Sequence, residues 1–282
     1  MKRNLIYTSL FIKEEYNDLT ELLLKSIHMF SNINRATTDI VIYTSSKFAQ
    51  EICKRVGHLN LPIYFHTFDD NELRCIFQLC CLRLQIFKNG FAHNYNKILY
   101  LDTDVLINSD INALFDLELD DDKLYALEEG NIDFFFWGDN FFDFDNIDKK
   151  TTAFSSGVML FKNTPQIIEL FENINDHIWY TLNTDQSRIL FYDQPFIVYN
   201  AISRGKYNNQ LLKGLVENNP GEVSLKTIVC HFPGTVGDVE SKANKMKKYM
   251  EKSIVAHGMS LPLADDEKKV DDEEIREPES ST

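Results

Sequence analysis

Short runs of consecutive apolar, often β-branched residues alternate along this chain with stretches of helical periodicity, and that alternation constrains the fold more than any other feature. The runs are NLIYTSL at 4–10, DIVIYTS at 39–45, LPIYFHTF at 61–68, KILYL at 97–101, DKLYALEE at 122–129, GVMLFK at 157–162 and LKTIVCHF at 225–232. Helical patterns lie between them. One covers 18–30, with Leu19, Leu22, Leu23, Ser26 and Ile27 on a single face. A second covers 45–56 behind a serine cap, and a third, long and mostly apolar, covers 71–87. A fourth covers 164–178, with Pro165 in its first turn. Strands apolar at every position are buried on both faces. The pattern therefore predicts an α/β fold, a mixed, mostly parallel central sheet flanked by helices. No linker interrupts it, so one domain is expected over 1–260. An acidic tail over 261–282 follows; from Ala264 onward it carries nine acids against three bases and is expected to be solvated and disordered.

Composition narrows the partners. The net charge of −14 disfavours nucleic acid and anionic membranes. No apolar stretch reaches 18 residues, and the first apolar run is broken too early for a signal peptide. The cysteines at 53, 75, 80, 81 and 230 are odd in number and form no CxxC pair, the pattern of reduced thiols. A cytoplasmic protein with no membrane span is expected.

One strand ends in chemistry. The segment NKILYLDTDVLINSDINALFD runs from an apolar strand straight into Asp102 and Asp104, then through an apolar bridge to a helix opened by Ser109 or Asp110. In open parallel sheets, ligands bind at the carboxyl ends of strands. Residues i and i+2 of an extended chain point the same way. Two carboxylates so placed repel unless a cation lies between them. Oxygen ligands in small number suit Mg²⁺ or Mn²⁺, which keep positions open for phosphate oxygens. The alternative is an Asp-rich turn in which Asp102 caps and Asp104 is solvated.

The segment resembles the donor-binding stretch of glycosyltransferase family 8, the glycogenin-like enzymes of the Rossmann-like GT-A fold. The resemblance continues in order from about Asn4 to Met250. LIYTSLFIKEEY resembles the first strand and helix, where Thr8 and Tyr16 would flank the nucleotide base, an aromatic face stacking on uracil. CCLRLQIF resembles the helix that carries a basic residue toward the donor, here Arg83; the other reading is a structural ion pair near Asp102, and the two are compatible. AFSSGVMLFK resembles the small-residue turn and strand that follow, although Ser155 stands where Asn is usual. Ser156 and Gly157 would approach the donor sugar there. Asp193 and Gln194, in FYDQPF, match a D-Q pair that would face the reacting side of the sugar; a carboxylate at a helix start is equally an N-cap. His231 matches the third metal ligand, which favours Mn²⁺ over Mg²⁺. Gly234 would bring backbone N–H groups to the diphosphate. Gly237 occupies the place of the usual lysine, so the diphosphate cation is assigned to Lys242. Thr103, between the aspartates, joins the nucleotide-sugar contacts. The resemblance implies a UDP-sugar donor, UDP-glucose or UDP-galactose, and retention of configuration. The acceptor stays open: glycan, protein or small molecule.

The stretch 131–148 crowds Phe134–Trp137, Phe141, Phe142 and Phe144 among Asp and Asn. It admits three readings: a loop folded to fill a local core, an acceptor site, or a homodimer patch. Glu128 and Asp133 beside it could reach the donor sugar. Two other functions compete with glycosyl transfer. One is a catalytically silent binding module. The other is a metal-dependent phosphohydrolase, because ILYLDTDVL also resembles the nucleophile strand of the haloacid dehalogenase superfamily. The roughly one hundred residues before the motif argue against the latter.

Overall fold

The computed structural model describes residues 2–11, 13–69, 76–88, 90–234 and 238–260; the acidic tail lies outside them, as do Cys75 and Gly237. Strands β1 (Arg3–Leu10), β2 (Thr38–Ser45) and β3 (Ile63–Phe68) alternate with helices α1 (Tyr16–Phe30) and α2 (Ser46–Val56). Helix α3 (Ile76–Cys81) precedes β4 (Tyr95–Leu101), β5 (Val105–Ile107) and α4 (Asn112–Asp116). Then come β6 (Leu124–Asn131), β7 (Thr152–Lys162), α5 (Pro165–Thr184), α6 (Gln194–Ser203), β8 (Tyr207–Asn208), β9 (Val216–Asn218), β10 (Val229–His231) and α7 (Val239–Ala256).

A seven-stranded sheet runs in the order β3-β2-β1-β4-β7-β6-β8, and a three-stranded sheet in the order β5-β10-β9. From β3 to β4 all neighbours are parallel; β7 runs antiparallel to both β4 and β6. The large sheet is thus mixed and mostly parallel, as expected. Its strand residues divide by parity. Leu5, Tyr7, Val41, Tyr43, Ile98, Tyr100, Met159 and Phe161 enter one core with α5 and α6. Ile6, Ile40, Ile42, Leu99, Leu101, Val158 and Leu160 enter the other, beneath α1 and α2. Both faces are covered, which is why these strands carry no polar alternation.

Several boundaries differ from the sequence expectation. The apolar bridge after the aspartates is β5, paired antiparallel to β10. The last strand is short and belongs with β5 in the small sheet. Residues 155–157 are no turn; they lie within β7. The helix expected over 71–87 is α3 followed by a 3₁₀ turn at Leu82–Gln85, with 70–75 outside the described residues. Ser45 sits at the N-cap of α2 without a capping bond, whereas Thr164 caps α5 through Ile167 N. Helix α4 starts at Asn112 with Ile111 at its N-cap; Asp110 accepts from Asn112 N at 3.1 Å. Helix α7 was not anticipated.

Candidate active site

A cleft of about 700 Å³ opens at the carboxyl ends of β1 and β4. Asp102 and Asp104 follow β4 in a turn rather than in extended chain, and the turn still aims both carboxylates the same way. Asp102 N donates to Gly157 O at 2.8 Å, which pins the turn against β7. On β10, His231 completes the set: its Nε2 lies 3.4 Å from Asp104 Oδ1 and 3.9 Å from Asp102 Oδ2. One ligand atom from each of the three lies within 4.8 Å of the others.

Three features fit this cluster to a divalent cation. The donor set is two carboxylates and an imidazole. The imidazole is oriented from behind: Asn218 Nδ2 donates to Glu129 Oε2 at 2.8 Å, so the amide oxygen must face His231 Nδ1, 2.9 Å away. Nδ1 therefore carries a proton, and in the neutral ring Nε2 keeps the lone pair that a cation would use. Finally, Gly157 leaves the space: a Cβ there would come within 2.4 Å of His231 Cε1 and 2.9 Å of Asp102 Oδ2. Gly157 was expected to approach the donor sugar; the room it clears is filled by the side chains of His231 and Asp102.

The charges are arranged in two layers. Burial pushes the Asp102 carboxyl up, against the pull of Arg83. Burial acts on Asp104 in the same sense, but His231 and Lys242 override it and hold that carboxyl at about 2. Burial opposes protonation of His231, yet the hydrogen bond to Asp104 and both carboxylate charges raise its pKa. Lys242 Nζ donates to Asp104 Oδ2 at 2.6 Å and reaches Gly234 O at 3.4 Å.

Arg83, in the 3₁₀ turn, holds the second layer. It donates through Nε and Nη2 to both oxygens of Asp193, at 2.6 and 3.0 Å. Nη1 donates to Asp102 Oδ1 at 3.3 Å and Ser156 O at 2.8 Å, and Nη2 to Ser156 Oγ at 2.8 Å. Its guanidinium lies 5.0 Å from the Tyr100 ring centroid. Every N–H of a guanidinium's five thus has a protein partner, so Arg83 is a buried ion-pair hub with no donor left for a ligand. Asp193 occupies the N-cap of α6 but makes no capping bond, because Arg83 takes its carboxylate. Gln194 Oε1 accepts from Ser156 N and Oγ at 3.1 and 3.0 Å.

Of the residues singled out in the sequence, Tyr16, Arg83, Asp102, Thr103, Asp104, Ser156, Gly157, Asp193, Gln194, His231, Gly234 and Lys242 all line the cleft. Thr8 does not. It is 2% exposed on the opposite parity of β1, and Ser9 faces the cleft instead. Ser9 Oγ is buried without a hydrogen-bond partner among the described residues. Tyr16 stands nearby, its phenol pushed up to about 12 by burial and by Asp104. Glu128 is tied to Lys213 and Gln210 outside the cleft, and Asp133 is exposed; Glu129 is the acid that lines it. Tyr100, which donates to Asp102 Oδ1 at 2.5 Å, Asn218 and Glu129 were missed. Their polar atoms are functional only through neighbours remote in sequence, so no local pattern marks them.

The aromatic stretch divides its rings. Trp137 and Phe141 are buried, with Phe142 and Phe144 packed against the same core. Phe136 and Trp137 also line the cleft, together with Phe191 and Tyr192. Phe136 stands edge-on to Phe191 at 4.7 Å.

A family model for glycosyl transferase family 8 matches residues 8–236. The chain belongs to that family. It is an enzyme that transfers glycosyl groups. No curated protein matches it in sequence. Among solved structures it is similar to the galactosyltransferase LgtC in complex with donor and acceptor sugar analogs, at 14% identity and a TM-score of 0.58, covering 92% of this chain and 97% of that one. A glycosyltransferase involved in the glycosylation of the major capsid of PBCV-1 matches at 17% identity and a TM-score of 0.51, over 87% and 99% of the two chains. The bifunctional glycosyltransferase WbbM matches at 14% identity and 0.57, over 92% of this chain; the family 8 member spans 52% of it. These likenesses give the family 8 member the GT-A fold.

Proposed function

We propose that this family 8 enzyme transfers a hexose from a UDP-sugar, UDP-glucose or UDP-galactose, with retention of configuration, and that Asp102, Asp104 and His231 hold Mn²⁺, with Mg²⁺ as the weaker alternative. The observation that carries the reading is the convergence of those three side chains on one point of the cleft, with the imidazole oriented from behind. When bound, a divalent ion stabilises the negative charge that grows on a departing diphosphate. The carboxylates supply its oxygen ligands and the imidazole its nitrogen, a mixture that favours Mn²⁺.

The remaining residues divide the donor between them. Tyr16, with Ser9 in the place expected for Thr8, takes the base, the orphaned Ser9 hydroxyl offering a hydrogen bond. Thr103, Gly234 and Lys242 attend the diphosphate. Ser156, Asp193 and Gln194 attend the sugar, while Gly157 keeps the ligands unobstructed and Arg83 positions Asp193 against Asp102. Both oxygens of Asp193 are held by a guanidinium, which lowers its nucleophilicity. That supports a front-face transfer, with Gln194 beside the oxocarbenium-like centre, over double displacement on Asp193. The wall of Phe136, Trp137, Phe191 and Tyr192 suits an acceptor that offers the flat face of a sugar ring or an apolar aglycone.

The test is UDP release from a panel of UDP-sugars with Mn²⁺, the anomer of the product read by NMR. One donor is consumed, and Asp104→Asn or a chelator abolishes its consumption. Turnover that survives both treatments would rule out metal dependence.

A further inference from the structure

The aromatic stretch between β6 and β7 does not end at the cleft. Phe136 and Phe191 line the cleft, and their ring centroids lie 4.7 Å apart. From Phe136 the contact continues outward, to Phe135 at 4.0 Å and to Phe134 at 5.2 Å. Phe134 and Phe135 meet in turn at 4.7 Å. Phe134 is 49% exposed. A run of touching rings thus leads from the cleft to the protein surface.

The outermost ring is held there by anchors on both sides. Before it, Ile132 is fully buried and its N donates to Thr151 O at 3.1 Å. After it, Trp137 is buried, and its N donates to Phe134 O at 2.9 Å to close the 3₁₀ turn Phe135–Trp137. Gly130, at φ +62°, gives the indole its place: a Cβ there would come 2.3 Å from Trp137 Nε1. Gly138, at φ +87°, lets the turn settle on α6, where a Cβ would come 2.9 Å from Pro195 O. An apolar face fixed in this way costs little to order when a ligand binds.

Charge decides what the face can take. Five aspartates and no basic residue lie within 131–148, and Asp133 stands exposed beside Phe134. Arg188 is turned to the stretch itself: it donates to Asn140 O, and its guanidinium lies 5.0 Å from the Phe141 ring centroid. A phosphorylated or carboxylated ligand would meet only like charge, and a second copy of the chain would set one row of aspartates against another. A neutral sugar fits both features. Its C–H face stacks on an aromatic ring, and its hydroxyls donate to carboxylates, which only accept.

We infer that Phe134 and Phe135 form an outer subsite, and that the acceptor is a neutral oligosaccharide whose receiving unit lies against Phe136 and Phe191 while the units behind it run out over Phe135 and Phe134. The inference rests on the glycosyl-transfer reading above and on its aromatic wall. Its consequence is that affinity grows with acceptor length, and that Phe134 carries the growth.

The experiment titrates linear neutral oligosaccharides of glucose, galactose, mannose, xylose and N-acetylglucosamine, one to five units long, into the full chain. Binding is read from the fluorescence of Trp137, which lines the cleft. Octyl glucoside and a disaccharide phosphate serve as the apolar and anionic comparisons. Wild type is compared with Phe134→Ala, Phe134→Tyr and Phe191→Ala, with and without UDP and Mn²⁺. In at least one series the trisaccharide is expected to bind about three- to tenfold tighter than the monosaccharide. Phe134→Ala is expected to remove that gain and leave the monosaccharide unchanged, Phe134→Tyr to keep it, and Phe191→Ala to weaken every length. The inference is overturned if no series binds, if affinity is independent of length, if Phe134→Ala keeps the full gain, or if octyl glucoside or the phosphate outbinds the oligosaccharides. If Phe191→Ala weakens every length while Phe134→Ala changes none, the outer subsite falls and the cleft wall stands. A length gain that Phe134→Ala removes, with Phe191→Ala silent, removes the cleft wall and keeps the outer subsite. Because no donor is consumed, failure of the UDP-sugar reading leaves these titrations intact.

Discussion

His231 owes its chemistry to neighbours on three other segments. Asn218 fixes which nitrogen is free, Asp104 makes that nitrogen basic, and Gly157 leaves the ring its place. Removing the amide in Asn218→Ala is expected to lower Mn²⁺ affinity about 10–100-fold with little change in melting temperature, as a titration of metal into the variant would show. The proton balance sets the pH dependence. The folded-state pKa of His231 is raised, and coordination needs the neutral ring. Mn²⁺ affinity should therefore fall as pH drops through that raised value, so the loss sets in above the ordinary histidine range. Affinity measured from pH 8.5 to 6 checks the sign; a flat profile would mean that the imidazole is not a ligand. Gly157→Ala places a methyl against the His231 ring and the Asp102 carboxylate, and is expected to abolish metal binding in the same titration. At this scale Asp102, Asp104 and His231 were picked out because they match, in order along the chain, the metal-ligand positions of the resembling family; the paired acids alone read equally as an Asp-rich turn, and the histidine alone as a core residue. Asn218 and Tyr100 were not, because an amide and a phenol look alike wherever they fall.

Arg83 shows what single elements do. It lies where α3 gives way to a 3₁₀ turn, and it ties that turn to β4, β7 and α6 through Asp102, Ser156 and Asp193. Truncation leaves two acids in the cleft floor uncompensated, so Arg83→Ala is expected to destabilise the fold by about 3–5 kcal/mol in denaturant unfolding. Arg83→Lys should recover only part of this, since a point charge cannot serve five acceptors on three residues at fixed angles. The sequence indicated an arginine needing a partner, but not the break in its helix: the apolar run over 71–87 satisfies helical and 3₁₀ packing alike. The same ambiguity hid β5, whose three residues are too few for a period to show. Strands β1, β2 and β4 were read within two residues, because burial on both faces leaves an unbroken apolar signature.

Over the whole molecule, one cleft joins Ser9 and Tyr16 at one end, a charged centre at Asp102, Asp104, His231 and Lys242, and an aromatic wall at Phe136 and Phe191. The stretch 131–148 was open among core, acceptor site and dimer patch. Five of its rings do the first, two of those also line the cleft, and Phe134 stays half exposed. If the wall receives the acceptor, Phe191→Ala should lower transfer about three- to tenfold while UDP-sugar hydrolysis is unchanged. The mixed sheet and its covered faces followed from the alternation of strands and helices; the small β5-β10-β9 sheet, which carries His231 to the aspartates, did not, since its pairings join distant residues. Function depends on whether the charged centre binds metal and nucleotide together. The most direct measurement is the thermal melt of the full chain with UDP and Mn²⁺, each alone and both together, in wild type and Asp104→Asn. A ligand that binds only the native state raises the melting temperature by mass action. A large shift is expected with both ligands, little with either alone, and none in the variant. Equal shifts in wild type and Asp104→Asn, or no shift with both ligands, would contradict joint binding at this centre.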